Sequence, residues 1–219
     1  MQQSQFKNEN SMSTSKKSAV CIVSCSVLRK EFERLKREGK LDAELVFVSK
    51  NFHVDYAQLE SNLRKILDQT KGQFGGKIVL VYGDLCLGQN GEMKKLANQY
   101  GVSKVDALNC IDCQMGGKGR AKIADPDHNL MFLGPGMIEF FRDMRINLKR
   151  HGMDDVAFAG IFSGMKGIVI LDTLGNTEQL VEAVKQSGMN LPVIETRHVG
   201  CQGILDTVHR AAKRSPHRG

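Results

Sequence analysis

Thiol and imidazole side chains follow five short apolar runs in this chain of 219 residues. In chain order they are Cys25, His53, Cys86, the pair Cys110 and Cys113, and the pair His198 and Cys201. Thiolates and imidazoles are the usual protein ligands of zinc, and thiolates hold iron–sulfur clusters. If the runs form neighbouring parallel strands, their carboxyl ends share the sheet edge at which open α/β folds bind ligands. The spacing therefore predicts a cluster of soft ligands and a metal or metallocluster site.

Four of these side chains each follow a different strand candidate and are the main predicted ligands: Cys25, Cys86, Cys110 and His53. Three thiolates with one imidazole suit a tetrahedral zinc site, whereas three thiolates alone suit a cluster with one open iron. The residues leave both alternatives open, although the imidazole favours zinc slightly. His53 is then either the fourth ligand or a proton carrier with a catalytic role.

Cys110 and Cys113 form a C-x-x-C motif, which occurs in zinc, iron–sulfur and thiol–disulfide sites. Redox pairs of this kind usually begin a helix, whose dipole lowers the thiol pKa. Here a glycine-rich segment follows the pair, so a loop is predicted and the redox interpretation is disfavoured. Cys113 is therefore a further candidate metal ligand, whereas Cys21, inside the first apolar run, is predicted to pack in the core.

Two glycine-containing segments are candidate cofactor-binding loops. In YGDLCLG, Gly83 and Gly88 allow the chain to turn sharply where the third strand candidate ends. Asp84 in this segment is a candidate general base. The alternatives are that its carboxylate supports a metal-ligand side chain from outside or that it is a turn residue. Gly116 and Gly117 begin GGKGR, which could bind an anion through backbone amides. A flexible surface loop is the favoured interpretation of that segment.

A further carboxylate, Asp172, ends the strand candidate GIVILD. It is predicted either to bind a substrate hydroxyl or to accept hydrogen bonds where the next helix begins. No G-x-G-x-x-G motif opens a helix after the first strand candidate, which disfavours a dinucleotide site.

Strand and helix patterns alternate along the chain, which predicts an α/β fold with a mostly parallel, Rossmann-like sheet and helices on both faces. Residues 1–18 are predicted to be a disordered leader, residues 19–212 one α/β domain and residues 213–219 a basic tail. Two similar lobes, 19–150 and 151–212, are an alternative. Helices are predicted from Glu92 to Tyr100 and from Thr177 to Gln186, and VAFAGIF is predicted to be a strand.

The charge distribution argues against a nucleic-acid partner. Five of the seven net positive charges lie in residues 1–18 and 213–219, whereas a nucleic-acid footprint needs basic residues clustered on a folded face. No apolar run approaches the length of a transmembrane helix, so no membrane association is expected. We expect a cytoplasmic protein whose six cysteines are reduced thiols, redox centres or metal ligands.

Several short motifs, taken in order, resemble one known family. They are Cys25-Ser-Val-Leu-Arg-Lys-Glu31, Phe52-His53-Val54, Tyr82-Gly83 with Cys86 and Gly88, Asn109-Cys110-Ile111 and Pro135-Gly136. Over residues 19–212 the chain resembles the domain-of-unknown-function family 1638. The resemblance implies anaerobic one-carbon or methylamine-type metabolism, beside corrinoid-dependent methyltransferases. The family's cysteines map to Cys25, Cys86 and Cys110, and its histidine to His53.

Together the residues and the resemblance predict a thiolate-ligated metal protein that acts in or beside corrinoid-dependent methyl transfer. A zinc ion with an open position could activate a bound thiol or water. One alternative is an iron–sulfur enzyme with a three-cysteine cluster. Another is a non-enzymatic accessory or metal-delivery factor. The expected partners are a corrinoid protein or methyltransferase and a small-molecule substrate, with corrinoid itself carried by the partner.

Overall fold

A computed structural model describes residues 20–74 and 77–214, which form two parallel β-sheets surrounded by helices. The first sheet has the order β2-β1-β3-β4 and contains β1 (Cys21–Cys25), β2 (Glu44–Val48), β3 (Ile78–Val81) and β4 (Ser103–Lys104). The second sheet has the order β5-β6-β7 and contains β5 (Leu130–Leu133), β6 (Gly167–Asp172) and β7 (Val193–His198). Every strand pair is parallel, which confirms the predicted α/β, Rossmann-like class.

The helices connect consecutive strands, as parallel pairing requires. They are α1 (Arg29–Arg37), α2 (Tyr56–Phe74), α3 (Glu92–Tyr100), α4 (Cys110–Gln114), α5 (Arg120–Ala124), α6 (Pro135–Arg150), α7 (Asp155–Gly160), α8 (Thr177–Gln186) and α9 (Gln202–Lys213). Short 3-10 turns at Ser26–Leu28 and Lys50–Val54 follow β1 and β2. The predicted bounds of α3 and α8 are confirmed, and Gly101 ends α3 with a left-handed φ of 62°.

The central strands β1, β3 and β6 are buried along their whole length because helices cover both faces of their sheets. Phe32 of α1 and Leu63 of α2 pack in the apolar core of the first sheet. The final helix α9 also packs there through Ile204 and Val208, although it follows the last strand of the second sheet. We call the part built on the first sheet the first lobe and the part built on the second sheet the second lobe. The chain therefore passes from the first lobe to the second and returns to the first with α9.

Two details of the sequence prediction differ from the structure. The change of sheet lies between Lys104 and Leu130 rather than near residue 150, so β5 and α6 belong to the second lobe. The run VAFAGIF, predicted to be a strand, lies in α7 and the turn after it. Asp154 caps α7 by accepting a hydrogen bond from the Ala157 amide at 2.7 Å, and only Phe158 and Phe162 of the run are buried.

The predicted leader lies outside the described residues, as does most of the predicted basic tail, from residue 215 onward. Among the residues that the structure describes, no helix combines the length and apolar character that a membrane span requires.

The two lobes meet where the start of α6 presses against the turn after β1. A Cβ atom placed on Gly136 would lie 1.9 Å from the carbonyl oxygen of Val27, so only glycine allows this approach. The Thr173 hydroxyl, after β6, donates a hydrogen bond to the buried carboxyl group of Glu31 in α1 at 2.8 Å. Lys50 also pairs with Asp143 of α6 at 3.0 Å. These contacts fix the second lobe against the strand ends of the first.

We predict that Gly136→Ala lowers the free energy of unfolding by about 3 kcal/mol, because overpacked backbone has little room to move. Gly72→Ala is the matched control, since nothing lies within 4 Å of a Cβ at that position in α2. The control is expected to raise stability by about 0.5–1 kcal/mol. Urea unfolding measures both, and equal stability of the two variants would contradict the lobe contact.

Candidate thiol and imidazole site

The four main predicted ligands all lie just beyond the carboxyl ends of strands in the first sheet. Cys25 ends β1, and His53 lies in the turn that follows β2. Cys86 follows β3, and Cys110 begins α4 after β4. Because the sheet order is β2-β1-β3-β4, these strand ends are neighbours along one edge. The structure therefore brings together the residues that the sequence placed on separate runs.

Cys25 and His53 are in direct contact. The Sγ atom of Cys25 lies 3.0 Å from Nε2 of His53. Burial raises the pKa of the Cys25 thiol to about 12, and burial lowers the pKa of His53. At neutral pH both groups are therefore uncharged, and the hydrogen bond joins a neutral thiol to a neutral imidazole. Cys25 Sγ also accepts from the Val27 amide at 3.5 Å.

Cys86 and Cys110 come together because two loops pair closely beyond β3 and β4. The amides of Asp84 and Leu85 donate to the carbonyl oxygens of Ala107 and Leu108, at 2.8 and 2.9 Å. A Cβ atom on Gly83 would lie 2.2 Å from the Leu108 carbonyl oxygen, so the pairing needs glycine there. Gly83 acts as a packing residue for the site, whereas the backbone of Gly88 turns with a φ of 125°.

The thiols of Cys25, Cys86 and Cys110 are close enough to influence one another. Burial raises the pKa of Cys86 and raises that of Cys110 well above its usual value. The pKa of Cys110 is raised further by the nearby charges that Cys86 and Cys25 would carry as thiolates. Within residues 20–74 and 77–214, no three His, Cys, Asp or Glu side chains are already arranged as a metal-binding group.

A cavity of about 220 Å³ lies against Cys86, Cys110 and His53, between the two lobes. Its walls are Val27, His53, Leu85, Cys86, Asn109, Cys110, Ile111, Met137 and Phe140. Met137 and Phe140 come from α6 of the second lobe, and the Phe140 ring meets the His53 ring edge-on at 6.3 Å. The cavity is therefore lined by soft and imidazole groups on one side and by apolar side chains on the other.

Tyr82 belongs to the Tyr82-Gly83 motif but was assigned no role from the sequence, and the structure places it at the site. Its side chain is 2% exposed, and its hydroxyl makes no hydrogen bond of normal geometry with any described residue. Burial raises the pKa of Tyr82, and the adjacent thiols of Cys25 and Cys86 raise it further. A buried hydroxyl without a partner is costly. In the sequence, Tyr82 is an aromatic residue with a hydroxyl group at the end of a strand candidate. That position does not by itself specify a role.

The C-x-x-C motif begins a helix, which corrects the predicted loop. Asn109 caps α4 by accepting a hydrogen bond from the Asp112 amide at 3.0 Å, and the glycine-rich segment begins only after Gln114. Cys113 is 1% exposed and packs in the core of the first sheet, away from the cavity walls. Burial raises its pKa to about 12. The structure thus separates Cys113 from the cavity that Cys110 lines.

The amides of the glycine-rich segment are occupied by oxygen atoms of the chain itself. The Gly117 amide donates to the Asp112 carbonyl oxygen at 2.7 Å, and the Gly116 amide donates to that of Cys113 at 3.2 Å. The buried Asp112 carboxylate accepts from the amides of Gly119 and Ala121, both at 2.9 Å. The Gly116 and Gly117 amides are thus already paired with carbonyl oxygens of the chain, which disfavours the cofactor-binding role predicted for these glycines.

Asp84 lies among three lysines and does not suit the predicted role of general base. Lys104, Lys118 and Lys94 approach its carboxylate at 2.8, 3.0 and 3.3 Å. Burial alone would raise the pKa of Asp84, but the hydrogen bonds from Lys104 and Lys118 outweigh it and lower the pKa to about 2. A group with so low a pKa is a poor proton acceptor near neutral pH.

His198 and Cys201 lie at the second sheet and do not join the cluster. Asp172 accepts hydrogen bonds from the Gly175 amide at 2.7 Å and from the Thr177 hydroxyl at 2.6 Å. His198 Nδ1 lies 3.2 Å from the same carboxylate, and the Cys201 thiol donates to the Thr173 carbonyl oxygen at 3.3 Å. Asp172 therefore stabilises the entry to α8, which was the structural alternative predicted for it.

Comparison with known proteins identifies a family to which the chain is similar. Residues 47–204 match the family described as "Protein of unknown function (DUF1638)". The chain belongs to this family. His53, Cys86 and Cys110 lie within the matched residues of this DUF1638 protein, and Cys25 precedes them. No curated protein and no solved structure matches the chain.

The lysine cluster around Asp84 predicts a pH-dependent stability. Because the folded pKa of about 2 is below the ordinary value of 3.8, the stabilisation is present above about pH 4 and is lost as the pH falls toward 2. Asp84→Asn is expected to remove about 2 kcal/mol at pH 7 and to flatten this acid dependence. Asp106→Asn, at an exposed pair with Arg214, is the control that should change little. Urea unfolding at several pH values measures this, and parallel acid profiles for wild type and Asp84→Asn would refute it.

Proposed function

We propose that Cys25, Cys86 and Cys110, with His53, hold a thiophilic metal centre at the cavity between the lobes, and that zinc is the preferred metal. One observation carries the proposal: four soft donors lie at four adjacent strand ends along one sheet edge. Three sulfurs and one imidazole nitrogen form a donor set typical of tetrahedral zinc. The centre forms when these side chains turn toward a common point, and the cavity beside Cys86 and Cys110 leaves room for that movement.

The protonation states of the four groups are compatible with metal uptake. Burial, the largest influence, raises the pKa of the thiols, so each binds metal only by releasing its proton. His53 has a lowered pKa and is therefore neutral near pH 7, as a metal ligand must be. The raised thiol pKa values also argue against a free thiolate nucleophile, because reactive cysteines have lowered pKa values.

The buried Tyr82 hydroxyl supports the same proposal. It lies beside the Cys25 thiol, but their contact falls short of normal hydrogen-bond geometry, and buried donors are almost always well bonded. A thiolate of Cys25 or Cys86 is a better acceptor than the neutral thiol, because charge-assisted hydrogen bonds are stronger. Tyr82 would thus stabilise the anionic sulfur and orient it.

The cavity walls give the remaining residues their roles. A zinc ion in this centre would act as a Lewis acid toward a small molecule that takes the fourth position in place of His53. Met137 and Phe140 of α6 form the apolar wall of the cavity, and His53 either completes the centre or moves a proton at its Nε2 atom. Asp84 takes no part in proton transfer, and its lysines fix the loop that carries Cys86.

A three-cysteine iron–sulfur cluster is the second candidate, because the cavity of about 220 Å³ exceeds the space that a single ion needs. In that case His53 is the proton carrier beside an open iron. Acid-labile sulfide in anaerobically purified protein would select this candidate over zinc.

The wider setting follows from the family resemblance alone. We infer a cytoplasmic protein that serves anaerobic methyl transfer with a corrinoid protein or a methyltransferase as partner. The cavity favours an enzyme over a metal-delivery factor, because it offers a place for a substrate.

The metal centre predicts a selective effect of three substitutions. Loss of a hydrogen bond to a metal ligand weakens metal binding about 10–100-fold. Cys25→Ser, Cys86→Ser and Cys110→Ser each remove a ligand itself, so each is expected to weaken zinc binding by more than that. Cys201→Ser is the matched control, because this half-buried thiol lies outside the cluster, and it should bind zinc as wild type does. Competition with a chromogenic chelator under anaerobic conditions measures the affinities. Full zinc retention in all three variants would exclude the proposed centre.

Tyr82→Phe should weaken zinc binding by about 10–100-fold, since it removes one hydrogen bond to a ligand but keeps the ring. Tyr100→Phe is the control, because the Tyr100 hydroxyl donates to the Arg64 carbonyl oxygen at 3.4 Å, away from the site. The same chelator competition measures both. An unchanged affinity in Tyr82→Phe would show that its hydroxyl does not contact a bound ligand.

A further inference from the structure

The cavity at the thiol site adjoins a second, larger one. This outer cavity has a volume of about 530 Å³ and shares Leu85, Asn109 and Ile111 with the inner cavity of about 220 Å³. Its other main walls are the second-lobe residues Leu130, Met131, Phe132 and Met165. The inner cavity alone could hold about seven water molecules, at ~30 Å³ each. The two cavities together provide space for a ligand that is larger than the inner one alone could hold.

The charges around these cavities disfavour a charged ligand. Within the described part of the chain, no Asp, Glu, Lys or Arg side chain lines the inner cavity. In the outer cavity, Asp125 accepts a hydrogen bond from the Leu130 amide at 2.7 Å, and Asp112 is held by the glycine-rich segment. Lys122 is exposed and lines only the outer cavity. A charge buried in the inner cavity would therefore have no opposite side chain to compensate its desolvation.

We propose that the paired cavities bind a small, uncharged organic thiol that has an apolar body. The assignment rests on the proposed metal centre, since the sulfur would take the fourth position in place of His53, whose free Nε2 atom would accept the thiol proton. Soft donors favour soft metal centres, which selects sulfur over oxygen as the ligand atom. The apolar body would lie against Leu85 and the methionines of the outer cavity. Methionine side chains adapt to ligands of different shape, so the walls favour an apolar surface without specifying one outline.

Leu85 is the residue that best tests this arrangement. It lines both cavities and is 45% exposed, and its backbone amide, rather than its side chain, holds the loop. Leu85→Glu therefore places a carboxylate between the cavities without opening the core. Ile146→Glu is the matched control, because Ile146 is 47% exposed and lies on α6 outside both cavities.

The experiment uses the full-length protein loaded with cobalt(II), whose visible spectrum reports both sulfur ligation and the arrival of a further ligand. Phenylmethanethiol is the probe and phenylmethanol is its oxygen analogue. We expect the thiol to change the spectrum saturably and the alcohol to leave it unchanged. Leu85→Glu should weaken thiol binding about tenfold. This factor corresponds to losing about half of the free energy that burial of a leucine side chain provides. Ile146→Glu should bind the thiol as wild type does.

The possible results separate this inference from the metal centre on which it rests. A cobalt protein with sulfur ligation but no response to the thiol would overturn the ligand assignment and leave the metal centre intact. Equal thiol affinity in Leu85→Glu and Ile146→Glu would also overturn it, because the body of the ligand would then lie elsewhere. Absence of sulfur-ligated cobalt in wild type would refute the metal centre, and the thiol site with it.

Discussion

The candidate site depends on the close backbone pairing of the loops that follow β3 and β4. Gly83 allows it, because any side chain there would collide with the Leu108 carbonyl oxygen at 2.2 Å. The pairing carries Cys86 toward Cys110 and places Asp84 among its lysines, which hold the loop in position. The parallel order of the strands then sets Cys25 and His53 beside them. A backbone constraint, rather than any attraction among the thiols, therefore creates the cluster.

The second lobe turns this sheet edge into a cavity. Gly136 lets α6 approach the turn after β1, and the same helix supplies Met137 and Phe140 to the wall opposite the thiols. The return of α9 to the first sheet and the hydrogen bond between Thr173 and Glu31 hold the lobes together. The lobes bury Cys25 fully and Cys86 and Cys110 in part, which is why burial dominates the raised pKa values of these thiols. The contact between the two lobes thus determines both the shape of the cavity and the raised pKa values of its thiols.

Much of this arrangement could be predicted from the sequence, because parallel strands impose a local rule. Apolar runs identify strands, and the residue after each run lies at the functional edge. The rule correctly brought Cys25, His53, Cys86 and Cys110 together. It does not say which strands share a sheet, and so it also grouped His198 and Cys201 with them, although they lie beside Asp172. The cavity walls from α6 and the buried Tyr82 hydroxyl depend on contacts between distant segments, which periodicity does not encode. The helical run at 155–160 was misjudged because short apolar runs suit either a strand or a buried helix.

The central claim is that three thiolates and one imidazole surround a single metal centre, and X-ray absorption spectroscopy on anaerobic, zinc-loaded protein tests it most directly. The account predicts about three sulfur neighbours at ~2.3 Å and about one nitrogen at ~2.0–2.1 Å. Scattering from a second metal atom, in protein purified with iron and sulfide, would instead support the cluster form of the same centre. A zinc shell of nitrogen and oxygen alone would contradict the account, because the thiols would then have no part in binding the metal.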